Sequence, residues 1–389
     1  MLDKTFGLEL TAEERDLLDS LEQVCRETIL PIRAELDRTG EYPHAAFDRF
    51  RELKLFQAIF NSSEGGSGFH PLLPLLIYET LSEYCLGIAT CFALTTGLAA
   101  WPLRLAGTEE QKEKYLAKLV SGECLGGFAA TEPEAGSDIL SLSTRAVKQG
   151  DRYLLNGTKK WISNSRHADF YCVLARTGSG PGALSFFMVE GDAKGLSFGK
   201  LEDKLGLRCV PNSEIYFENV EVPEENLIGG KIHRGLPLLA RSLAESRLAV
   251  AAASVGQATG AYREAMISCR KRQQFGERVS QFQVVQHMLV DMLVKIETAR
   301  AMTHQAGRAL LENHREAMAF SAMAKYHCSE MAMAVVTEAL QLHGGYGFIK
   351  DNPIEKMFRD TKILAIYEGT SQVLKNQIGD SMMRYLKFD

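Results

Sequence analysis

The order in which the chain changes texture constrains its fold more than any single motif: helical text, then strand text, then helical text, never interleaved. Residues 1–121 read as helix. Thr11-x-x-Glu14 and Thr108-x-x-Gln111 are capping-box starts. Between them Leu72 to Leu105 is rich in Leu and Ala, as in helices buried on several sides. Glu64-Gly65-Gly66-Ser67-Gly68 breaks that text. Residues 122–232 are richer in Gly, with short alternating runs at Arg152–Leu155, Phe170–Ala175, Leu184–Val189 and Glu214–Phe217. Asn156-Gly157, Gly178 to Gly182 and Pro211-Asn212 supply turn residues, so this block predicts a small antiparallel barrel or sandwich. Residues 233–389 return to helix: Leu248–Met266, Gln283–Leu311 and Met318–Leu342 are long, Pro-free and amphipathic, suited to a bundle. The lack of βαβ alternation argues against a doubly wound sheet. No G-x-G-x-x-G follows a strand and no G-x-x-x-x-G-K-[ST] occurs, so neither a Rossmann site nor a P-loop is expected.

Several function classes fall away on composition. Lys and Arg total 44 against 49 Asp and Glu, a net charge of −5, the wrong sign for sequence-independent nucleic-acid binding. No apolar run reaches the roughly 18–20 residues of a membrane span, so none is expected. The start of the chain carries Asp3, Lys4, Glu9, Glu13 and Glu14, unlike a secretory signal or a transit peptide. This predicts a bacterial cytoplasmic site, or the mitochondrial matrix if a presequence has been removed. The eight cysteines form no C-x-x-C and no zinc-ligand spacing, which suggests free thiols in a reducing compartment and no bound metal.

Five segments admit a chemical reading beside a plain one. Phe128-Ala129-Ala130-Thr131-Glu132-Pro133-Glu134-Ala135-Gly136-Ser137-Asp138 is either a linker or a loop that brings backbone N–H groups to a flat polar ligand. Asn156-Gly157 predicts a hairpin turn. After it, Trp161 and Ser163 share one side of a strand, as a ring-ligand wall or as ordinary core. Arg270-Lys271-Arg272-Gln273-Gln274-Phe275-Gly276 ends a long helix, its cations complementing the dipole or clamping a pyrophosphate. Gln341-Leu342-His343-Gly344-Gly345-Tyr346-Gly347-Phe348 is a C-cap and turn, or a close backbone approach to a ligand. Glu368, in Ile366-Tyr367-Glu368-Gly369-Thr370-Ser371-Gln372, is a surface carboxylate or, after apolar Ile363 to Ile366, a desolvated base.

In this order and spacing the segments closely resemble the acyl-CoA dehydrogenase family over about residues 8–385. The strongest signatures are Thr131-Glu132-x-x-Ala135-Gly136-Ser137-Asp138 and Gln341-x-x-Gly344-Gly345 through Tyr367-Glu368-Gly369-Thr370-Ser371. Lys204-Leu205-Gly206-x-Arg208 and Val220-x-Val222-Pro223-x-x-Asn226 match the family's barrel. The resemblance implies an α+β, mostly helical fold: an N-terminal helical domain (1–121), a middle β-barrel (122–232) and a C-terminal four-helix bundle (233–389). It also implies one FAD per subunit, an acyl-CoA substrate, an electron-transfer flavoprotein as acceptor, and a homotetramer whose FAD sites span dimer interfaces.

Residue by residue, the resemblance implies that Phe128 to Thr131 (including Ala130), Gly136, Ser137, Trp161, Ile162 and Ser163 line the flavin, Ser163 near its N5 and O4. Arg272, Gln274, Phe275, Phe282 and Gln283 match the pyrophosphate and adenosine side. Gln341, Gly344 and Gly345 would reach the neighbouring subunit's FAD, and Thr370 to Gln372 would complete the site. Ser137, Arg247, Tyr367 and Gly369 match positions near the acyl-CoA. Glu368 matches the catalytic base. In the family that base takes the α-proton, the β-hydrogen passes as hydride to flavin N5, and the product is a 2-enoyl-CoA. The thioester carbonyl is held by the base's own N–H and a ribityl hydroxyl.

Some members carry the base just before the Arg247 position instead. Here that residue is Ser246, with Glu245 before it, so the base is assigned to Glu368. The family's frequent Tyr four residues before Arg272 is Ser268. The expected pocket wall, Leu86–Pro102, contains Cys91, Phe92, Thr95, Thr96 and Trp101 but no charged residue. Members that take dicarboxylic acyl groups usually carry an Arg there, where this chain has Ala89. An unpaired acyl carboxylate would be costly, which predicts a neutral acyl group: short, branched or alicyclic. The alternatives are an acyl-CoA oxidase or an enoyl-CoA reductase of the same fold, and, in another class, a DNA-associated or inactive homologue.

Overall fold

The computed structural model describes residues 3–385. Both capping boxes form. Thr11 caps Ala12–Val24 with its N–H on Glu14 Oε2 at 2.7 Å, and Thr108 caps Glu109–Gln111 with its N–H on Gln111 Oε1 at 3.1 Å. Gln111 does more than cap. Its amide donates to Glu225 O and Leu227 O at 2.6 and 2.7 Å, tying the helical block to the end of the strand block.

Seven strands make the middle layer: β1 (Gly126–Ala129), β2 (Arg145–Gln149), β3 (Arg152–Ser163), β4 (Phe170–Arg176), β5 (Leu184–Glu190), β6 (Leu196–Phe198) and β7 (Asn212–Pro223). They pair in the order β1-β4-β2-β3-β7-β6, with β5 on β4. Most pairs are antiparallel as expected, but β1 and β2 both run parallel to β4. The sheet curls around its own core of Tyr153, Leu155, Tyr171, Val173, Phe187, Ile215 and Phe217. The alternate residues of β4 and β5 (Phe170, Cys172, Leu174, Phe186, Met188) join the helical core instead. Both strands are thus buried on both faces, which is why they read as unbroken apolar runs.

Asn156-Gly157 is not a turn. It lies inside β3, where a register shift against β7 separates Leu155 from Gly157. The hairpin turn falls earlier, at Gly150 with φ 63°. A Cβ on Gly157 would stand 2.5 Å from Thr144 Oγ1, so the glycine serves a bulge and a close approach.

Helices pack against the outer face of β4 and β5. Gly235–Lys271 is the central one, buried for most of its length. Gly256 and Gly260 let Leu73–Tyr84 cross it closely, since Cβ atoms there would stand 2.0 Å from Glu79 O and 2.3 Å from Glu83 O. Gln283–Leu311 and Ala317–His343 pack alongside, followed by Pro353–Thr361 and Ser371–Tyr385. The α-β-α architecture is the one anticipated. One expectation fails: Leu86–Ala106 has the length and hydropathy (1.5) of a membrane-crossing helix. Its most apolar stretch is 83% buried inside the protein, where it forms part of the helical core.

Candidate active site

The turn Tyr367-Glu368-Gly369 joins the short helix Lys362–Ala365 to the helix Ser371–Tyr385, which Thr370 caps by accepting from Val373 N at 3.2 Å. Glu368 has φ 54° and Gly369 φ 100°, two successive left-handed residues. The central helix holds this turn from one side. Ser246 Oγ donates to Glu368 Oε2 at 2.5 Å, and Arg247 Nε donates to Glu368 O at 3.0 Å. Arg247 Nη1 reaches Gln377 Oε1 at 2.8 Å. Ala317–His343 holds it from the other, with Lys325 Nζ on Gly369 O at 2.8 Å. Burial raises the Glu368 carboxyl above its ordinary value, opposed by the Ser246 hydrogen bond and by Lys325 and Arg247. A carboxylate so placed is a candidate proton acceptor.

A cavity of about 370 Å³ adjoins the turn, with Ser246 common to both. Tyr78, Thr96, Trp101 and Leu248 line it. Of the expected wall, Thr96, Gly97 and Trp101 reach it. Cys91 and Phe92 are fully buried, Phe92 among Phe47, Phe50 and Phe56, and Thr95 accepts from Asn164 at 3.2 Å. The cavity carries charge that Leu86–Pro102 could not reveal: Arg104, Arg241 and Glu245. Each cation is paired, Arg104 with Glu64 at 2.6 and 2.9 Å and Arg241 with Glu245 at 2.9 Å. Glu245, raised by its burial, is thus an ion-pair partner on the cavity wall.

The Thr131 loop is fastened by a pair absent from the sequence reading. Glu132 is buried and accepts from Ser143 N, Thr144 N and Lys159 Nζ at 2.6, 2.9 and 2.9 Å. Lys159 Nζ also donates to Ala130 O at 2.8 Å. Burial opposes the charge on Glu132, yet Lys159 and the N–H donors hold its carboxyl down to about 2. Lys160 N donates to Thr131 O at 2.9 Å and brings the loop against the end of β3. There a second register shift, between Lys159 and Ile162, turns Trp161 out at φ 61° with 56% of its surface exposed. Ile162 points into the β core, which leaves only its backbone to a ligand. Ser163 is half-buried and accepts from Asn212 at 2.7 Å. Phe128 and Thr131 are half-buried, Ala130 is buried, and Gly136 and Ser137 lie exposed on the turn.

A second group lies at the far end of the bundle. Arg272 leaves the central helix and donates to His343 O at 3.2 Å, serving the C-terminus of the neighbouring helix rather than its own. Its guanidinium lies 5.7 Å from the Tyr346 ring centre and 3.1 Å from where a Gly344 Cβ would be. Phe275, 95% exposed at φ 53°, packs edge-on against Phe282 at 6.2 Å. Gln274, Gln283, Gln341 and Gly345 are exposed beside them in sequence. Arg272 and Gly344 therefore form one patch. Among the described residues, no hydrogen bond, ion pair or ring contact joins it to Trp161 or Ser163. Gln372 is exposed at the start of the last helix, and Tyr367 and Gly369 are half-buried around Glu368.

Sequence reasoning missed Lys325, Lys159 and Arg104. Lys325 had a signal, a lone cation in Ala322-Met323-Ala324-Lys325 of an Ala-rich helix.

The site can be set beside known proteins. A family model described as acyl-CoA dehydrogenase, N-terminal domain, matches residues 11–123. The middle-domain model matches 127–220 and the C-terminal-domain model 233–383. A short-chain-specific acyl-CoA dehydrogenase of Clostridium acetobutylicum is 38% identical over 377 residues, 96% of this chain and 99% of that protein. The CarC subunit of the caffeyl-CoA reductase-Etf complex of Acetobacterium woodii is 37% identical, covering 92% of this chain and 95% of that one. The solved butyryl-CoA dehydrogenase of Megasphaera elsdenii superposes with a TM-score of 0.94 at 35% identity, over 97% of this chain and all of the other.

Proposed function

The chain belongs to the acyl-CoA dehydrogenase family of FAD-dependent oxidoreductases, and from that premise we propose that Glu368 removes the α-proton of a saturated acyl-CoA on the way to the 2-enoyl-CoA. The observation that carries this reading is the half-buried Glu368 carboxylate beside Ser246, Arg247 and Lys325. An α-proton is weakly acidic, so its acceptor must be close, sheltered and raised in pKa. The Glu368 N–H makes no hydrogen bond within the described residues and is left to donate to the thioester carbonyl as it gains charge. Arg247 fixes the Glu368 carbonyl and so orients the turn.

The residues present fit FAD. The exposed Trp161 indole stands beside half-buried Thr131 and Ser163, a flat apolar wall edged by hydroxyls. Arg272 and the open backbone at Gly345 suit a pyrophosphate. When bound, FAD supplies the acceptor for the β-hydrogen and its electron pair.

Two further parts of the reading rest on separate features. Both arginines of the cavity are already held by carboxylates, which supports a neutral acyl group. The separation of the Arg272 patch from Trp161 supports an oligomer in which one subunit's patch completes its neighbour's FAD site. An electron-transfer flavoprotein as acceptor is supported by the Etf-complex relative. That relative's name also favours a second reading, an enoyl-CoA reductase working the same site in reverse.

The test is anaerobic addition of a panel of saturated acyl-CoAs to the flavin-loaded protein. Bleaching of the flavin band by a neutral acyl-CoA is expected, with the rate falling about 10²–10⁴-fold in Glu368→Gln. No bleaching by any saturated acyl-CoA, with rapid reoxidation of reduced enzyme by an enoyl-CoA, would select the reductase. Bleaching by glutaryl-CoA alone would overturn the neutral acyl group.

A further inference from the structure

We propose that Lys325 is a positioning residue for the base: it ties down the turn that carries Glu368 and supplies a charge that favours its ionised form. The proposal rests on the reading of Glu368 as base.

Lys325 sits a third of the way along Ala317–His343 with none of its surface exposed. Two other buried lysines show what such a group ordinarily does. Lys159 contacts Glu132 at 2.9 Å, and Lys356 contacts Asp360. Lys325 contacts no carboxylate among the described residues; its one hydrogen bond goes to Gly369 O at 2.8 Å. The anions it feels act across space, Glu368 ahead of Glu330, while burial lowers its own pKa to about 8. A buried ammonium with no carboxylate in contact is costly, and here its one hydrogen bond goes to the turn that carries the base.

The other groups facing Glu368 do not replace it. The central helix presents Ser246, a neutral donor, and Arg247, whose guanidinium is engaged by Glu368 O and Gln377. Leu73–Tyr84 presents Tyr78, and the turn itself Tyr367, both phenols raised by burial and neutral at ordinary pH. Glu330, the other acid whose charge acts on Lys325, accepts from Ser371 Oγ at 2.6 Å. The backbone supports the same role. Glu368 and Gly369 are both left-handed, and their carbonyls are pinned to different helices, one by Arg247 and the other by Lys325.

Lys325→Gln keeps a donor and removes the charge; Lys325→Met removes both; Lys325→Arg keeps the charge. Difference infrared titration of the flavin-loaded enzyme follows the protonated carboxyl band that Glu368→Gln eliminates. In Lys325→Gln its midpoint should rise by about one pH unit, and the acid limb of kcat/KM should move with it. Below the midpoint, about tenfold less base is then ionised. Lys325→Arg should keep the midpoint near that of the parent. Lys325→Met should also lower kcat at high pH, where the base is fully ionised. An unmoved midpoint in a folded, flavin-loaded Lys325→Gln overturns the proposal, whether or not Lys325→Met folds. Full activity in Glu368→Gln is a different failure, which overturns the base assignment itself.

Discussion

Three non-glycine residues at the proposed sites hold left-handed backbone: Trp161 at φ 61°, Phe275 at φ 53° and Glu368 at φ 54°. Such residues persist only where surrounding contacts over-determine them. At Glu368 those contacts are Ser246, Arg247 and Lys325. Ser246→Ala removes the only hydrogen bond to the carboxylate among the described residues. The carboxyl should rise further, and the acid limb of kcat/KM should move to higher pH with the flavin spectrum unchanged. Burial has a second consequence. It holds the folded carboxyl above its unfolded value, so folding favours the protonated form. The stability this gives is full below the unfolded pKa and is lost as pH rises through the folded one. Glu368→Gln should therefore leave the thermal midpoint unchanged near about pH 4 and raise it by about 1–3 °C near about pH 8. Equal midpoints at the higher pH would show that the carboxylate is not desolvated.

At the scale of elements, the two register shifts in β3 do most to shape the wall proposed to meet the flavin. The first accommodates Gly157 against Thr144; the second turns Trp161 outward. Asn-Gly is a strong local turn signal, and here the β3–β7 pairing overrode it, because a bulge needs the same residue types. The Glu132–Lys159 pair ties the Thr131 loop to this strand. Lys159→Met strips a buried carboxylate of its cation and should cost about 3–5 kcal/mol, read as a lower urea midpoint. It should also reduce the flavin-to-protein absorbance ratio of the purified enzyme. Pairing it with Glu132→Leu should recover part of the stability but not the flavin, because Ala130 and Thr131 would still lose their fastening.

At the scale of the molecule, the two proposed FAD surfaces, around Trp161 and around Arg272, share no hydrogen bond, ion pair or ring contact among the described residues. If the Arg272 patch completes a neighbour's site, Arg272→Ala and Glu368→Gln damage different halves of it. Co-expression with random pairing of the two variants should then restore activity to roughly a quarter of the parent's, because about one site in four takes Glu368 from one subunit and Arg272 from the other, each variant alone being weak. No recovery in a purified mixed oligomer would mean that each chain builds its own site. The N-terminal block belongs to the same unit, since one helical core runs from Leu8 to Leu364 and takes in a face of β4 and β5.

The fold class was legible because it depends on local features: capping boxes, apolar period and turn composition. Both capping boxes form, and Gln283–Leu311 is a helix over the anticipated span. The family, too, was legible, since its motifs are runs of neighbouring residues. Side-chain partnerships between elements distant in sequence were not. Ser246 meets Glu368 across 122 positions and Lys325 meets Gly369 across 44, and such pairings leave no local pattern. The charge in the cavity was hidden for the same reason: Arg104 and the Arg241–Glu245 pair converge from two helices distant in sequence. The sequence by itself determined which residue types and elements are present. Only the tertiary structure decided which of them face the carboxylate, because burial and distance, the quantities that set its pKa, exist only once the chain is packed.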